Sequence, residues 1–130
     1  MTPDETIHRV REALAAFGRG DIDAAAPLRH PDYSSTIRGR ASISGTYGWE
    51  AMADVVRRLF DMTNGTMIAV PEIVLADDEN VLMYTKVNAS RPDGRKYDSH
   101  HAYRYRLKDG LVIEVETIPV DQEAFKEFWA

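Results

Sequence analysis

The sequence predicts an α+β domain in which helices pack on one face of a curved sheet. Apolar residues recur at helical spacing through the first half of the chain, and from Thr66 onward the period changes to two. Helices followed by an antiparallel meander are typical of this class. The 130 residues suit one domain, which we expect to span residues 1–130.

The first half of the chain predicts three helices and one short strand. Acidic residues at 4–5 suit the first turn of the first helix, and Asp21 is a suitable cap for the second, which Pro27 ends. In order, we expect helices at 4–17 and 21–26, a turn at 30–32, a strand at 33–37, a Gly/Ser-rich loop at 39–48 and a helix from 49 to about 64.

The second half predicts four strands and a last helix. Short polar turns rich in Asp and Gly separate runs of alternating polarity, which is the pattern of hairpins. The expected strands cover about 66–76, 80–91, 96–107 and 111–118, and a helix that opens at Asp121 follows. The strand at 33–37 must pair somewhere in the same sheet.

Composition and motifs exclude several function classes. Sixteen Lys and Arg against 21 Asp and Glu give a net charge of −5, which disfavours nucleic acid as a partner. The absence of cysteine excludes disulfides and thiolate chemistry. No phosphate loop, nucleophile motif or cluster at metal-ligand spacing occurs, so we expect neither a metal nor a cofactor. With no apolar run long enough for a membrane span and an acidic N-terminus, we expect a cytoplasmic protein without a membrane partner.

The last hairpin decides which side chains of its strands share a face, because a one-residue slip exchanges the faces. A two-residue loop at 109–110 would put Glu114 and Glu116 opposite Tyr105 and Tyr103. A three-residue loop at 108–110 separates polar from apolar residues, so we adopt it. It gives the pairs Tyr105 with Ile113, Tyr103 with Val115, His101 with Thr117 and Arg104 with Glu114.

This register predicts an aromatic, mostly apolar inner face. It consists of Tyr97, Ser99, His101, Tyr103 and Tyr105, with Ile113, Val115 and Thr117 beside them and, by parity, Val81, Met83, Thr85 and Val87. Such a composition suits a pocket for a hydrophobic small molecule. The alternative is a filled core with tyrosine hydroxyls at its rim.

Several short motifs, in their order and spacing, resemble the SnoaL-like branch of the nuclear transport factor 2 superfamily. They are Ala15–Phe17 before Gly20–Asp23, Pro31–Tyr33, Ser44–Gly48, Leu75–Asp78, Asp109–Gly110 and Pro119–Gln122 before Phe128–Trp129. The resemblance covers nearly the whole chain. It implies a cone-shaped α+β fold with a mixed or antiparallel sheet, a pocket between helices and sheet, and often a homodimer through the sheet.

The chemistry that this resemblance implies is varied, and departures narrow it. Polyketide cyclases, ketosteroid isomerases, dehydratases and epoxide hydrolases are all similar to this chain. The isomerases' oxyanion tyrosine and base aspartate would fall near Ala13 and Thr36, where neither group is present. The inner face also lacks the buried Asp-Arg-Asp set of the epoxide hydrolases, so both activities become less favoured.

His101 and Asp121 are the candidate catalytic residues. His101 is the imidazole predicted on the inner face, and its ordinary pKa suits proton transfer near neutral pH. The alternative is a core histidine held by a carbonyl or a tyrosine hydroxyl. Asp121 resembles the late acid/base aspartate of polyketide cyclases, although it also suits a helix N-cap. The adopted register puts it about 13 Å from His101 along an extended strand.

The remaining predicted site residues would bind substrate. They are Tyr33, Ser35, Tyr47, Trp49, Met83, Thr85, Tyr103, Val115 and Thr117. Arg104, Arg106 and Lys108 lie on the opposite strand face, where flanking glutamates favour ion pairs or a subunit contact.

Two functions from different classes follow from this pattern. The first is a cofactor-independent acid/base enzyme of the cyclase, isomerase or dehydratase type that acts on a hydrophobic substrate. The second is a non-catalytic ligand-binding or dimerisation module, which the missing polar groups at Ala13, Ser35 and Thr36 favour.

Overall fold

The structure, a computed structural model, describes residues 1–130 and confirms the predicted α+β class. The helices are α1 (Pro3–Gly18), α2 (Ile22–Ala25), which continues into a 3-10 turn (Ala26–Leu28), α3 (Trp49–Met62) and α4 (Gln122–Phe128). The strands are β1 (Arg29–Ile37), β2 (Gly45–Tyr47), β3 (Ile68–Ala76), β4 (Asn80–Ser90), β5 (Lys96–Lys108) and β6 (Leu111–Pro119).

Three of the helices begin at side-chain caps. Thr2 caps α1 by accepting a hydrogen bond from the backbone N–H of Glu5. Asp21 and Asp121 cap α2 and α4, each through a carboxylate oxygen 3.0 Å from a backbone nitrogen three residues later. Such caps satisfy N–H groups that the first helical turn leaves free.

Two parts of the first half differ from the prediction. The turn expected at 30–32 is wrong, because β1 already begins at Arg29. Between Arg29 and Ser34 the pairing with β6 shifts register, so Pro31, which has no N–H, is accommodated where the ladder is irregular. The loop expected at 39–48 contains β2, which pairs antiparallel with β1.

The six strands form one mixed sheet in the order β2-β1-β6-β5-β4-β3. β1 pairs with β6 in parallel, and every other neighbouring pair is antiparallel. The strand expected at 33–37 therefore finds its partner near the end of the chain. Pairing of residues so far apart is a tertiary feature that local patterns do not specify.

The last hairpin differs from the adopted register in an instructive way. Asp109 and Gly110 both have left-handed backbone, with φ of 54° and 75°, and Lys108 pairs with Leu111. This is the two-residue turn that Asp-Gly favours, so the predicted three-residue loop is wrong. Ile113 is then an extra residue on β6, because Leu107 pairs with Val112 and Arg106 with Glu114.

From Glu114 onward the extra residue restores the predicted faces while moving the partners, whereas Val112 takes the buried position that the prediction gave to Ile113. Tyr105 now opposes Val115, Tyr103 opposes Thr117 and His101 opposes Pro119. The prediction that His101, Tyr103 and Tyr105 share the buried face is confirmed. The expected pairings with Ile113, Val115 and Thr117 are each wrong by two residues. Arg104 likewise opposes Glu116 rather than Glu114, although its guanidinium contacts both carboxylates.

Helices cover the inner face of the sheet. α1 packs against β3 and β4, α3 against β1 and β2, and α4 against β5. Arg91 and Arg95 hold α4 in place, because both donate hydrogen bonds to backbone carbonyls at its end, including Phe128 O and Ala130 O. None of the helices has the length and the apolar character that crossing a membrane would require.

Candidate functional site

A cavity of about 520 Å³ lies between the inner face of the sheet and the helices. Of its 26 lining residues, 18 are hydrophobic. The exposed lining residues belong to α1, the end of α3 and the chain leading into β3, so the cavity opens there. The buried ones on β1, β5 and β6 form its deep end. The cavity is therefore lined mainly by apolar side chains, with a small number of polar side chains among them.

The structure brings six of the predicted site residues to the cavity wall and leaves five outside it. Those on the wall are Tyr33, Ser35, His101, Tyr103, Val115 and Thr117. Those outside the wall are Tyr47, Trp49, Met83, Thr85 and Asp121. The six come from β1, β5 and β6, which are adjacent in the sheet.

His101 is buried and held at both ring nitrogens. Its Nε2 lies 2.8 Å from the hydroxyl of Tyr97, and its Nδ1 lies 3.2 Å from the hydroxyl of Tyr103. Phe125 from α4 packs edge-on against the ring, with the centroids 5.4 Å apart. The imidazole is thus fixed in position between two phenols, one of which faces the cavity.

Burial sets the protonation of all three groups. Loss of solvation lowers the pKa of His101 to about 4, with a smaller effect from neighbouring His100. Burial also raises the pKa of Tyr97 to about 12 and that of Tyr103 further. At neutral pH the imidazole is therefore neutral and both phenols are protonated.

A neutral imidazole carries one N–H, so the chain of three groups has two arrangements. If Nδ1 is protonated, it donates to Tyr103, Tyr97 donates to Nε2, and the Tyr103 O–H is free to donate into the cavity. If Nε2 is protonated, Tyr103 donates to Nδ1 and the Tyr97 O–H is free instead. Tyr97 does not line the cavity, so only the first arrangement leaves a hydroxyl, that of Tyr103, free to donate a hydrogen bond to a ligand.

Two further hydroxyl groups on β1 are buried without a hydrogen-bond partner. They belong to Tyr33 and Ser35, both of which line the cavity. Burial raises the pKa of Tyr33 to about 12, so its phenol also stays protonated. A buried polar group without a partner is costly, and a ligand oxygen at the deep end would supply one.

The predicted binding residues outside the wall have other contacts. Tyr47 donates a hydrogen bond to the Ile43 carbonyl at 2.7 Å. Trp49 packs against the rings of Phe17 and Tyr33, with centroids 5.7 and 5.2 Å away, and so supports two residues that do line the cavity.

On β4, Met83 and Thr85 are buried in the core behind the cavity wall. Thr85 lies opposite His101 in the strand ladder, and its hydroxyl has no partner. A substrate-binding role stays a prediction for Tyr47, Trp49, Met83 and Thr85.

Asp121 is exposed, and its Oδ1 accepts the hydrogen bond that caps α4. With His101 paired to Pro119, Asp121 lies only two residues beyond the partner of the imidazole, closer along the strand than the predicted register implied. Its catalytic role stays a prediction, and the observed contact is the capping one.

Sequence reasoning missed several residues of the site. Alternation puts Tyr97 on the inner face, but its bond to His101 depends on how the two side chains lean, which alternation does not specify. Met52, Val56 and Leu59 of α3 and Arg11 of α1 also line the cavity. The helical spacing of the three α3 residues indicated a buried stripe without saying that the stripe would face an open space, and no pattern in the sequence marked Arg11. No three side chains of metal-ligating type come together in the structure.

Comparisons with known proteins agree with this architecture. A family model described as SnoaL-like domain matches residues 10–115. An uncharacterized protein of Mycobacterium tuberculosis strain H37Rv is 29% identical over 134 aligned positions that cover all of both chains.

Two solved structures resemble the chain along nearly its whole length. Bal32a, from a soil-derived mobile gene cassette, is 30% identical with a TM-score of 0.90 and covers 98% of each chain. A nuclear transport factor 2-like protein from Burkholderia xenovorans LB400 is 18% identical with a TM-score of 0.84, covering 100% of this chain and 99% of its own. The second likeness shows the fold alone, and it confirms the fold that the motifs indicated.

Proposed function

Because the chain belongs to the SnoaL-like domain family, we propose that its cavity binds a hydrophobic small molecule and catalyses proton transfer on it without a cofactor. The observation that carries this proposal is the Tyr97–His101–Tyr103 chain at the wall of a mostly apolar cavity. A cyclase, an isomerase and a dehydratase all need such a proton transfer. The family alone does not choose among them, since related folds carry different chemistry.

The three groups can move a proton to a substrate, and the charge left behind then lies on Tyr97. When Tyr103 gives its proton to a substrate oxygen, His101 can pass the Nδ1 proton to the Tyr103 oxygen while Nε2 takes the proton of Tyr97, which leaves Tyr97 as a phenolate. Because burial raises the pKa of Tyr97 to about 12, this state is costly and short-lived, and the same steps in reverse return the proton and restore the neutral phenol. Tyr103 is thus the group that touches the substrate, and His101 supplies and receives the proton behind it.

The low pKa of His101 favours the donor role of Tyr103. A carbonyl oxygen gains negative charge as its neighbouring carbon loses a proton to water that enters through the mouth, and a fixed phenol O–H in an apolar site stabilises that charge. The hydroxyls of Tyr33 and Ser35 are further donors at the same deep end. In this proposal Asp121 has a structural role. It caps α4 and so helps to hold Phe125 against the imidazole.

Hydrogen–deuterium exchange tests this proposal without knowledge of the natural substrate. 2-Tetralone, a hydrophobic ketone with enolisable hydrogens, is incubated with the protein in D2O, and loss of the α-hydrogen signals is followed by proton NMR. We expect the wild type to accelerate exchange over buffer and Tyr103→Phe to lower that acceleration at least tenfold, because removing one donor to a developing oxyanion costs about 10²–10³ in rate.

Tyr47→Phe is the matched control for this experiment. It removes a phenol O–H that is bonded to the Ile43 carbonyl outside the cavity wall, so we expect exchange within about twofold of the wild type; a larger loss would instead support the substrate-binding role predicted for Tyr47. Equal rates in the wild type, the Tyr103→Phe protein and buffer would contradict acid/base catalysis.

A second candidate function is binding without turnover. It is favoured by the same burial that lowers the pKa of His101 to about 4, which makes the imidazole a weak base at neutral pH. Ligand binding with no exchange above the buffer rate would support this function.

We also propose that two copies associate through the outer face of the sheet. That face exposes an apolar patch, defined here as Ile73, Leu75, Leu82, Tyr84 and Ile118. Charged pairs lie around it, among them Lys86 with Asp98 and Arg104 with Glu114. An apolar centre with a polar rim is the usual anatomy of an interface. A cytoplasmic location and the absence of a nucleic-acid or membrane partner stay predictions.

A further inference from the structure

Arg11 of α1 is one of the residues that line the cavity. Its helix, α1, also contributes Leu14 and Ala15 to the lining, three and four residues later on the same helical face. Arg11 itself is exposed, so it lines the cavity at the mouth rather than at the deep end. Apart from His101, whose burial keeps it neutral, no other lining residue is ionisable near neutral pH.

The charge of Arg11 is not matched by a carboxylate. Some exposed arginines have acidic partners, such as Arg57 with Asp54 at 3.0 Å and Arg19 with Asp21 at 3.9 Å. Others, such as Arg58, have none, but among the unpaired arginines only Arg11 lines the cavity. Arg11 forms no ion pair, and neither Asp nor Glu occurs among the lining residues. A chain with a net charge of −5 thus presents an uncompensated cation at the entrance of its apolar cavity.

Given the proposed small-molecule function, on which this step rests, we propose that Arg11 selects ligands with an anionic group, such as a carboxylate, at the end that faces the mouth. The body of such a ligand is apolar, to match the side chains of α1 and α3. Its far end carries a carbonyl or hydroxyl oxygen for the donors of Tyr33, Ser35 and Tyr103. The substrate class is therefore an amphipathic organic anion.

Two physical effects make one arginine sufficient for this selection. A guanidinium binds a carboxylate through two parallel hydrogen bonds, which fixes orientation as well as charge. The apolar wall beside it excludes water on one side and so weakens the dielectric screening of the pair. Because the mouth remains in contact with solvent, the preference must decrease as salt is added.

A matched pair of fluorescent probes tests the inference. 2-Naphthoate and 2-naphthamide have almost the same shape and differ in charge, and their dissociation constants are measured by fluorescence titration in low salt. We expect the wild type to bind the carboxylate about fivefold more tightly than the amide, and the preference to fall below about twofold in 0.5 M NaCl.

Variants on one helix localise the effect. Arg11→Gln should bring the two dissociation constants within about twofold of each other by weakening only the carboxylate, while Arg11→Lys should keep part of the preference. Arg9→Gln removes the same charge two residues away, on a side chain that does not line the cavity, and should keep the wild-type ratio. Val56→Trp, which places a large ring in the lining, should abolish binding of both probes.

The outcomes separate this inference from the proposed function. If both probes bind to the wild type and Val56→Trp blocks them, but Arg11→Gln leaves their ratio unchanged, Arg11 does not select the ligand and the pocket stands. If neither probe binds, or if Val56→Trp has no effect, the pocket itself is overturned and the inference with it. A wild-type preference for the amide would also overturn the inference. Circular dichroism of each variant verifies that the fold is retained.

Discussion

At the scale of single residues, some of the buried polar side chains of this protein have hydrogen-bond partners and others do not. His101 is served at both nitrogens, whereas the hydroxyls of Tyr33, Ser35 and Thr85 have no partner. Each such group costs about 1–3 kcal/mol relative to a satisfied one. Two of the three unpartnered hydroxyls belong to residues of the cavity wall, which is where a ligand would offset that cost.

The buried imidazole gives a pH dependence of stability with a definite sign. The pKa of His101 is about 4 in the folded protein and 6.5 in an unfolded reference, so the unfolded chain binds the proton more readily. Its contribution is complete above pH 6.5 and is lost as the pH falls towards 4. Between pH 7 and pH 4.5 we expect this group to remove about 2–3 kcal/mol from the free energy of unfolding.

Urea unfolding at several pH values measures this effect. The decrease from pH 7 to pH 4.5 should be smaller in His101→Gln than in the wild type by about that amount. The control, His8→Gln, changes an exposed histidine of α1 and should keep the wild-type decrease. Identical pH dependence in the His101→Gln and wild-type proteins would show that the imidazole is not buried as described.

At the scale of elements, helix ends position the mouth of the cavity. Phe60, near the end of α3, lines the mouth and lies against two glycines with left-handed backbone. These are Gly20, just after α1, and Gly65, just after α3, and a Cβ at either would come within 3.0 Å of the Phe60 ring. Because neither position carries a side chain, the Phe60 ring can pack against the turns that follow α1 and α3.

Replacing Gly65 by alanine tests this packing. We expect Gly65→Ala to lower the free energy of unfolding by about 2 kcal/mol, since it adds strain at a φ of 71° and also displaces the Phe60 ring. Gly94→Ala is the matched control, because Gly94 also has positive φ but nothing within 4 Å of its Cβ position. It should cost about 1 kcal/mol. Equal costs for the two variants, measured by urea unfolding, would show that the ring contact is unimportant.

At the scale of the whole molecule, the two faces of the sheet have different roles. The inner face carries the polar chain and the cavity, while the outer face exposes the apolar patch, with Leu75 62% exposed. On β4 the residues of the two faces alternate: Met83 and Thr85 are buried, whereas Leu82 and Tyr84 are exposed. The proposed dimer would cover Leu82 and Tyr84 without blocking the mouth, which opens between helices.

A charge placed in the patch should separate the two copies. We expect Leu82→Lys to raise the dimer dissociation constant at least a hundredfold, because it buries an unpaired ammonium at the centre of the interface. Asn88→Lys adds the same charge to the same face of the same strand but outside the patch, and should leave the dimer intact. Sedimentation velocity over a concentration series measures both. A wild type that remains monomeric at high concentration would contradict the dimer.

Local patterns in the sequence already contained the α+β class, most of the helices and strands, and the inner face of β5. Each of these follows from a period that neighbouring residues repeat, so no distant contact is needed to read it. Even the wrong loop at 108–110 puts His101 and Tyr103 on the buried side, because the true turn and the bulge at Ile113 together preserve parity.

The tertiary structure decided what depends on partners distant in the chain. The parallel pairing of β1 with β6, the short strand β2 and the opening beside Arg11 arise from packing between segments that no local period connects. The contacts of His101 with two phenols are of the same kind, since alternation gives a face but not the distance between side-chain tips. The sequence by itself determined which residues are buried together, and the folded chain determined which of them meet, because burial follows local periodicity whereas contact geometry follows the whole set of long-range packing constraints.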